Sequence, residues 1–165
     1  MGIARVTRHL LTDHSAVRKT LPTAALKQIE QAIGEQEQRH DGEIRFCVEA
    51  ALPWSYLKRG ARARERAVML FSKLRVWDTE RNTGVLVYVL WADKAVEIVA
   101  DRGIARLVPQ AVWDQLCHEI ALAFGSGQAA PGVIAGITRI SDELARHFPP
   151  LADNPDELGN APVLL

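Results

Sequence analysis

Apolar positions recur along this chain in two rhythms, and the switches between them mark out its elements. Leu26, Ile29 and Ile33 fall at helical spacing behind Thr20-Leu21-Pro22-Thr23, a start signal, and this helix runs out in the charged stretch 35–40 before an Asp41-Gly42 turn. Over Glu43–Glu49 the period drops to two. Ile44, Phe46 and Val48 alternate with Glu43, Arg45, Cys47 and Glu49, which predicts a strand with one apolar and one mixed face. The helical period returns over Tyr56–Leu74, where Ala63, Ala67, Leu70, Phe71 and Leu74 form one stripe, read as a single helix. Val85–Trp91 is apolar at every position, the mark of a strand buried on both faces. Ala92-Asp93-Lys94 then turns the chain back into a third strand, Ala95–Asp101. Two helices follow, one opening at Pro109 and carrying Val112, Trp113, Leu116, Ile120 and Phe124, the other opening near Pro131 and carrying Ile134, Ile137, Ile140 and Leu144. Ile3, Val6 and Leu10 line one side of a short helix within a polar N-terminal extension, residues 1–20, and the Pro-, Asp- and Asn-rich stretch 151–165 reads as a loose tail.

Chain direction turns these elements into a location. The crossover between the first two strands is long enough to make them parallel, and the hairpin returns the third antiparallel. The starts of strands one and two and the end of strand three therefore share one rim of the sheet. Three polar segments reach it: His40-Asp41-Gly42-Glu43, Trp77-Asp78-Thr79-Glu80-Arg81-Asn82 and Asp101-Arg102-Gly103. Clustered carboxylates repel and stay together only with a cation, an arginine or hydrogen bonds to compensate them. Asp78, Glu80 and Asp101 with the Asn82 amide suit a hard divalent ion, Ca²⁺ or Mg²⁺. Arg81 or Arg102 could instead neutralise them or hold a phosphate, and a salt-bridged cluster that caps the sheet is the plainer alternative. His40, Glu43 and Arg81 complete the polar rim. It lies opposite the carboxyl ends of the parallel strands, where α/β sheets usually bind ligands.

Composition narrows the classes. Length fits one domain, and Lys+Arg and Asp+Glu are both 20, so the chain carries no general electrostatic footprint for nucleic acid or membrane; the cluster Arg59, Arg62, Arg64 and Arg66 reads as a solvated helix face. The two cysteines, Cys47 and Cys117, lie on strand-like and helical apolar runs without metal-ligand spacing, as buried free thiols do. His118 falls on a helix stripe as a partly buried structural histidine, and His9, His14 and His147 have no visible partners. None of the serines stands in a nucleophile-elbow setting, and Gly125-Ser126-Gly127 lacks the ending of a phosphate loop. No stretch approaches a membrane span and no cleavage pattern is visible, so a cytoplasmic protein without direct membrane insertion is expected.

The segment Ala67–Gly103 resembles the TPM domain, the family of the thylakoid lumen acid phosphatase and its bacterial relatives. The resemblance rests on a helix ending in Phe71-Ser72-Lys73-Leu74, on the strand entry Asn82-Thr83-Gly84-Val85-Leu86-Val87-Tyr88-Val89, and on Val96-Glu97-Ile98-Val99-Ala100-Asp101-Arg102-Gly103-Ile104. Gly132 to Leu144 matches the closing helix, and Trp77-Asp78-Thr79-Glu80 and Ala100-Asp101-Arg102-Gly103 look like a small cytoplasmic branch without signal peptide or membrane helix. It implies a three-layer α/β/α sandwich over residues 21–150 with a mixed sheet of about four strands. It further implies either a non-catalytic domain, able to carry a divalent-cation site, that acts as a partner-binding or accessory factor for a membrane-associated complex, for instance with a LemA-type protein, or a divalent-cation-dependent acid phosphatase acting on phosphomonoesters. In the second case Asp78 and Asp101 would hold Ca²⁺ or Mg²⁺, Glu80 and Asn82 would assist, and Asp78, Asp101 and Arg102 would be the catalytic candidates, with no organic cofactor. Asp101-Arg102-Gly103 stands where exported members have a Gly-rich turn, which adds a carboxylate. Substrate, oligomeric state and partner identity are not legible in the chain.

Overall fold

A computed structural model describes residues 2–151 and 157–165. Strand β1 (Ile44–Glu49) pairs in parallel with β2 (Val85–Leu90), and β2 pairs antiparallel with β3 (Ala95–Ala100). A fourth strand, β4 (Val163–Leu164), lies parallel to β1 on its other side, giving the order β3-β2-β1-β4. The mixed sheet is open and is flanked by eight helices among the described residues. They are α1 (Ile3–Leu11), α2 (His14–Thr20), α3 (Thr23–Glu37), α4 (Trp54–Lys58), α5 (Ala63–Lys73), α6 (Arg102–Ala105), α7 (Gln110–Gly125) and α8 (Ala129–His147).

Alternation along the strands sorts their side chains into two cores. Ile44, Phe46 and Val48 with Val85, Val87 and Val89 point toward α3, α7 and α8, where Ile29, Ile33, Leu116, Ile137, Ile140 and Leu144 meet them. Cys47, Leu86, Tyr88 and Leu90 point the other way and are covered by Ala63, Ala67 and Leu70 of α5 together with Val76. Burial of the whole of β2 follows from this two-sided cover.

Several expectations change in detail. The mixed face of β1 is not solvated: Cys47 and Glu49 are buried beneath α5, and Glu49 is tolerated there because Arg66 and Tyr88 bond to it. The stretch 56–74 is two helices rather than one. Gly60 adopts φ 72°, a left-handed turn that suits glycine, and Arg62 restarts the chain in extended conformation with its N–H bonded to the Glu65 carboxylate at 3.1 Å. The end of the stretch read as a loose tail is paired: Leu165 N–H donates to Val48 C=O at 3.0 Å and Leu165 C=O accepts from Ala50 N–H at 2.9 Å, while Arg45 holds the Leu158 and Gly159 carbonyls. Residues 152–156 of that tail lie outside the described residues. His118 is exposed, not partly buried, because it sits beside rather than on the stripe formed by Trp113, Leu116 and Ile120.

Candidate functional site

Strand register assembles the rim. Ile44 aligns with Val85 and Val85 with Ala100, so the segments before β1, before β2 and after β3 emerge side by side. Backbone bonds then lock them: Val85 N–H to Glu43 C=O at 2.8 Å, Asp101 N–H to Gly84 C=O at 2.8 Å, and Gly103 N–H to Asn82 C=O at 2.9 Å. Two glycines permit this closeness. A Cβ on Gly84 would stand 1.9 Å from the Val76 carbonyl oxygen, and one on Gly103 would stand 2.4 Å from that of Asn82. Asn82 itself turns the chain at φ 56°, a conformation asparagine tolerates.

The segments converge as their topology predicts, and Asp78, Arg81 and Arg102 each then meet a partner of their own. Asp78 Oδ2 pairs with Arg75 Nη2 at 2.6 Å on an exposed turn, with Trp77 alongside donating from Nε1 to the Ser72 carbonyl at 3.3 Å. Arg81 bonds Asp41 at 3.0 Å and lies over the Phe148 ring. Arg102 Nε–H donates to Asn82 Oδ1 at 3.0 Å. Asp101 Oδ1 accepts from the Arg102 N–H at 2.7 Å and caps α6, whereas Asp101 Oδ2 is buried and has no hydrogen-bond partner among the described residues. Glu80 and Glu43 line a small acidic cleft with Glu157, which bonds both segments: Glu80 N–H donates to its carboxylate at 3.3 Å and Glu157 N–H donates to Glu43 Oε1 at 3.1 Å.

Among the described residues, no group of three or more His, Cys, Asp or Glu side chains is arranged to hold a metal ion. A hard cation wants six to eight oxygens. Asp101 Oδ2 is a buried carboxylate oxygen without a hydrogen-bond partner among the described residues, and the Arg102 guanidinium sits on the Asn82 oxygen that would join it. His40 is fully buried just behind the rim, and burial pushes its imidazole down to about 4.

A second polar assembly, at the carboxyl ends of β1 and β2, was not read from the sequence. Glu49, Arg66 and Tyr88 form a buried triad: the Arg66 guanidinium grips the Glu49 carboxylate at 2.5–3.1 Å, and Tyr88 O–H donates to Glu49 Oε2 at 2.6 Å. Burial raises the Tyr88 phenol far above its ordinary range, and the adjacent Glu49 charge adds to this. Nearby, Asp93 in the β2–β3 turn gathers Arg5 at 2.7 Å, His9 at 3.0 Å and Arg8 at 3.2 Å. Burial alone would raise the Asp93 carboxyl, but hydrogen bonds from Arg5 and His9 pull it down to about 2. A concavity of about 210 Å³ opens beside this turn, lined by Val89, Trp91, Val96, Ala121 and Phe124. The cysteines are poor nucleophiles, since burial lifts Cys47 to about 12 and Cys117 to about 11. Of the four clustered arginines, Arg66 is interior, Arg64 bonds the Ile98 carbonyl on β3, and Arg59 pairs with Glu65 at 3.3 Å, so they do not form one solvated face.

The profile of the TPM domain family matches residues 16–143, which include β1–β3 and both sides of the rim. This chain belongs to the TPM domain family. Its structure resembles the NMR structure of BA42 protein from the psychrophilic bacterium Bizionia argentinensis, with 32% sequence identity, a TM-score of 0.75, and coverage of 86% of this chain and 93% of that one. No curated protein matches. In this TPM domain no helix among the described residues is long and apolar enough to cross a membrane.

Proposed function

We propose that this TPM domain acts without catalysis, as a cytoplasmic, partner-binding accessory factor for a membrane-associated complex, and that its rim is the contact surface. The observation that supports this reading is the pairing at the rim. Asp78 with Arg75 is an exposed ion pair and Asp41 with Arg81 a part-exposed one, both already neutralised on a backbone fixed by Gly84 and Gly103. Such a surface gives register and specificity to a polar protein contact. It differs from a phosphoryl-transfer site, which aims several unpaired cations or a metal at one point. Titration calorimetry against a LemA-type membrane protein, co-expressed and purified in detergent, tests it. Binding that Arg81→Glu weakens at least tenfold is the expected result. No binding, together with turnover of p-nitrophenyl phosphate that Asp101→Asn abolishes, would overturn it in favour of an acid phosphatase.

A divalent-cation site is the second reading, and Asp101 Oδ2 is the observation that favours it, because a buried carboxylate oxygen with no donor among the described residues is costly. Asp101 would hold the ion with Glu80, and Asp78 and Asn82 would have to leave Arg75 and Arg102 to join it. A rise in melting temperature on adding Ca²⁺ or Mg²⁺ that disappears in Asp101→Asn supports this reading, and an identical response in both proteins rejects it.

A further inference from the structure

Helix α1 is mounted with its polar side inward. Arg5, Arg8 and His9 reach the Asp93 carboxylate. Arg5 also donates to the Ala61 carbonyl at 2.8 Å, and Leu52 N–H donates to His9 Nδ1 at 3.1 Å. With Nδ1 accepting, His9 donates to Asp93 from Nε2. The other side of the helix faces out: Ile3, Leu10 and Leu11 are 85%, 69% and 80% exposed. Their i, i+7, i+8 spacing puts them on one stripe. A surface helix of a globular domain normally does the reverse, so this stripe is available to an outside apolar phase.

The two backbone groups that α1 touches, Leu52 N–H and Ala61 C=O, bracket the connection 53–60. That connection and the residues just after it carry Trp54, 58% exposed, and the exposed cations Lys58, Arg59 and Arg62. Between Leu52 and Arg62 there is no Asp or Glu; Glu65, beyond it, pairs with Arg59. An outward apolar helix stripe, an exposed tryptophan and a run of cations are the elements that hold a protein in the headgroup region of an anionic bilayer.

We propose that α1 and the 53–62 connection form a peripheral docking surface for an anionic lipid membrane. A second copy of this chain fits the same patch poorly. A three-residue stripe falls far short of the ~800 Å² per partner of a stable interface. A two-fold contact would also set Lys58, Arg59 and Arg62 against their own copies. The surface lies at the opposite end of the sheet from the rim, so it acts independently of the protein contact proposed there. Nothing spans the bilayer in this arrangement; the helix lies in its surface.

Co-sedimentation of the full chain with protein-free vesicles tests the proposal. Vesicles of 30% phosphatidylglycerol in phosphatidylcholine are expected to bind it and pure phosphatidylcholine vesicles to bind at least tenfold less, with the anionic binding falling steeply as salt rises. The double variant Leu10→Ser/Leu11→Ser changes only exposed positions and is expected to melt like the parent while binding at least tenfold more weakly. Absence of binding to the anionic vesicles at low salt overturns the proposal, as does binding that the double variant leaves intact. A concentration-dependent dimer in light scattering that the double variant abolishes would assign the stripe to a second copy instead. Because the vesicles hold no protein, failure here leaves the rim contact standing, and the reverse is equally true.

Discussion

The two ends of the sheet handle charge in opposite ways. At the rim, ion pairs are exposed and one is local: Asp78 bonds Arg75 three residues away, with both side chains open to water. At the carboxyl end, partners are drawn from afar: Glu49 meets Arg66 and Tyr88 in the interior, and a part-buried Asp93 holds Arg5 across 88 positions of sequence. Water screens the first kind and contributes little to the second. In the function proposed above the rim is the surface a partner would read, while the far end carries the structural stake. A conspicuous cluster of charged residues in a sequence is a poor guide to where charge matters for folding.

The sharpest way to break this contrast is to unpair the interior. Glu49→Ala strands the Arg66 guanidinium with the Tyr88 hydroxyl beside it, and about 3–5 kcal/mol of stability is expected to be lost in urea denaturation. A change under 1 kcal/mol would mean that water reaches the triad and that the two ends are alike. Acid probes a deep group near the rim. His40 titrates at about 4 in the fold against an ordinary value of 6.5, so the unfolded chain binds its proton first. The stability tied to keeping the ring neutral is fully present above pH 6.5 and is lost as pH falls from there to about 4, by about 3 kcal/mol in all. His40→Phe should flatten that part of the pH–stability curve.

Smaller effects sharpen the picture. Asp93→Asn should cost about 1–2 kcal/mol and release α1, seen as lost hydrogen-exchange protection over residues 5–11 while β2 and α8 stay protected. Its carboxylate sits at about 2, so the same contribution fades in the parent as pH falls from the ordinary 3.8 toward about 2. Asp78→Ala should move stability by less than about 1 kcal/mol, the exposed-pair limit, and a larger loss would make the rim structural after all.

Much of the framework was legible because its signals are local. The all-apolar Val85–Trp91 run predicts a central strand, and the crossover and hairpin together place loops 40–43, 77–82 and 101–103 on one rim. What escaped depends on single residues or on distance. Gly60 divides the helical stripe at 56–74 with one left-handed residue, which periodicity over the whole window overrides. The α6 turn has four residues and β4 has two, too few for any period to register. Glu49 ends an alternating strand, and only its position beneath Arg66 distinguishes a buried carboxylate from a solvated one. His9 had no neighbour in sequence to mark it, since Asp93 and Leu52 reach it only through the fold. For the rim, topology gave the neighbourhood; rotamers and partners decided what each carboxylate does there.

The brief pairing of β4 has a wider consequence. Two ladder positions, Cys47 with Val163 and Val48 with Leu164, are what make β1 an inner strand rather than an outer one. Once that clasp lifts, the flank of β1 bares a row of unsatisfied peptide groups beside largely apolar side chains, a template on which a foreign strand can zip. The short segment at 157–165 thus covers that edge against edge-to-edge strand pairing, and trimming it should raise the tendency to aggregate.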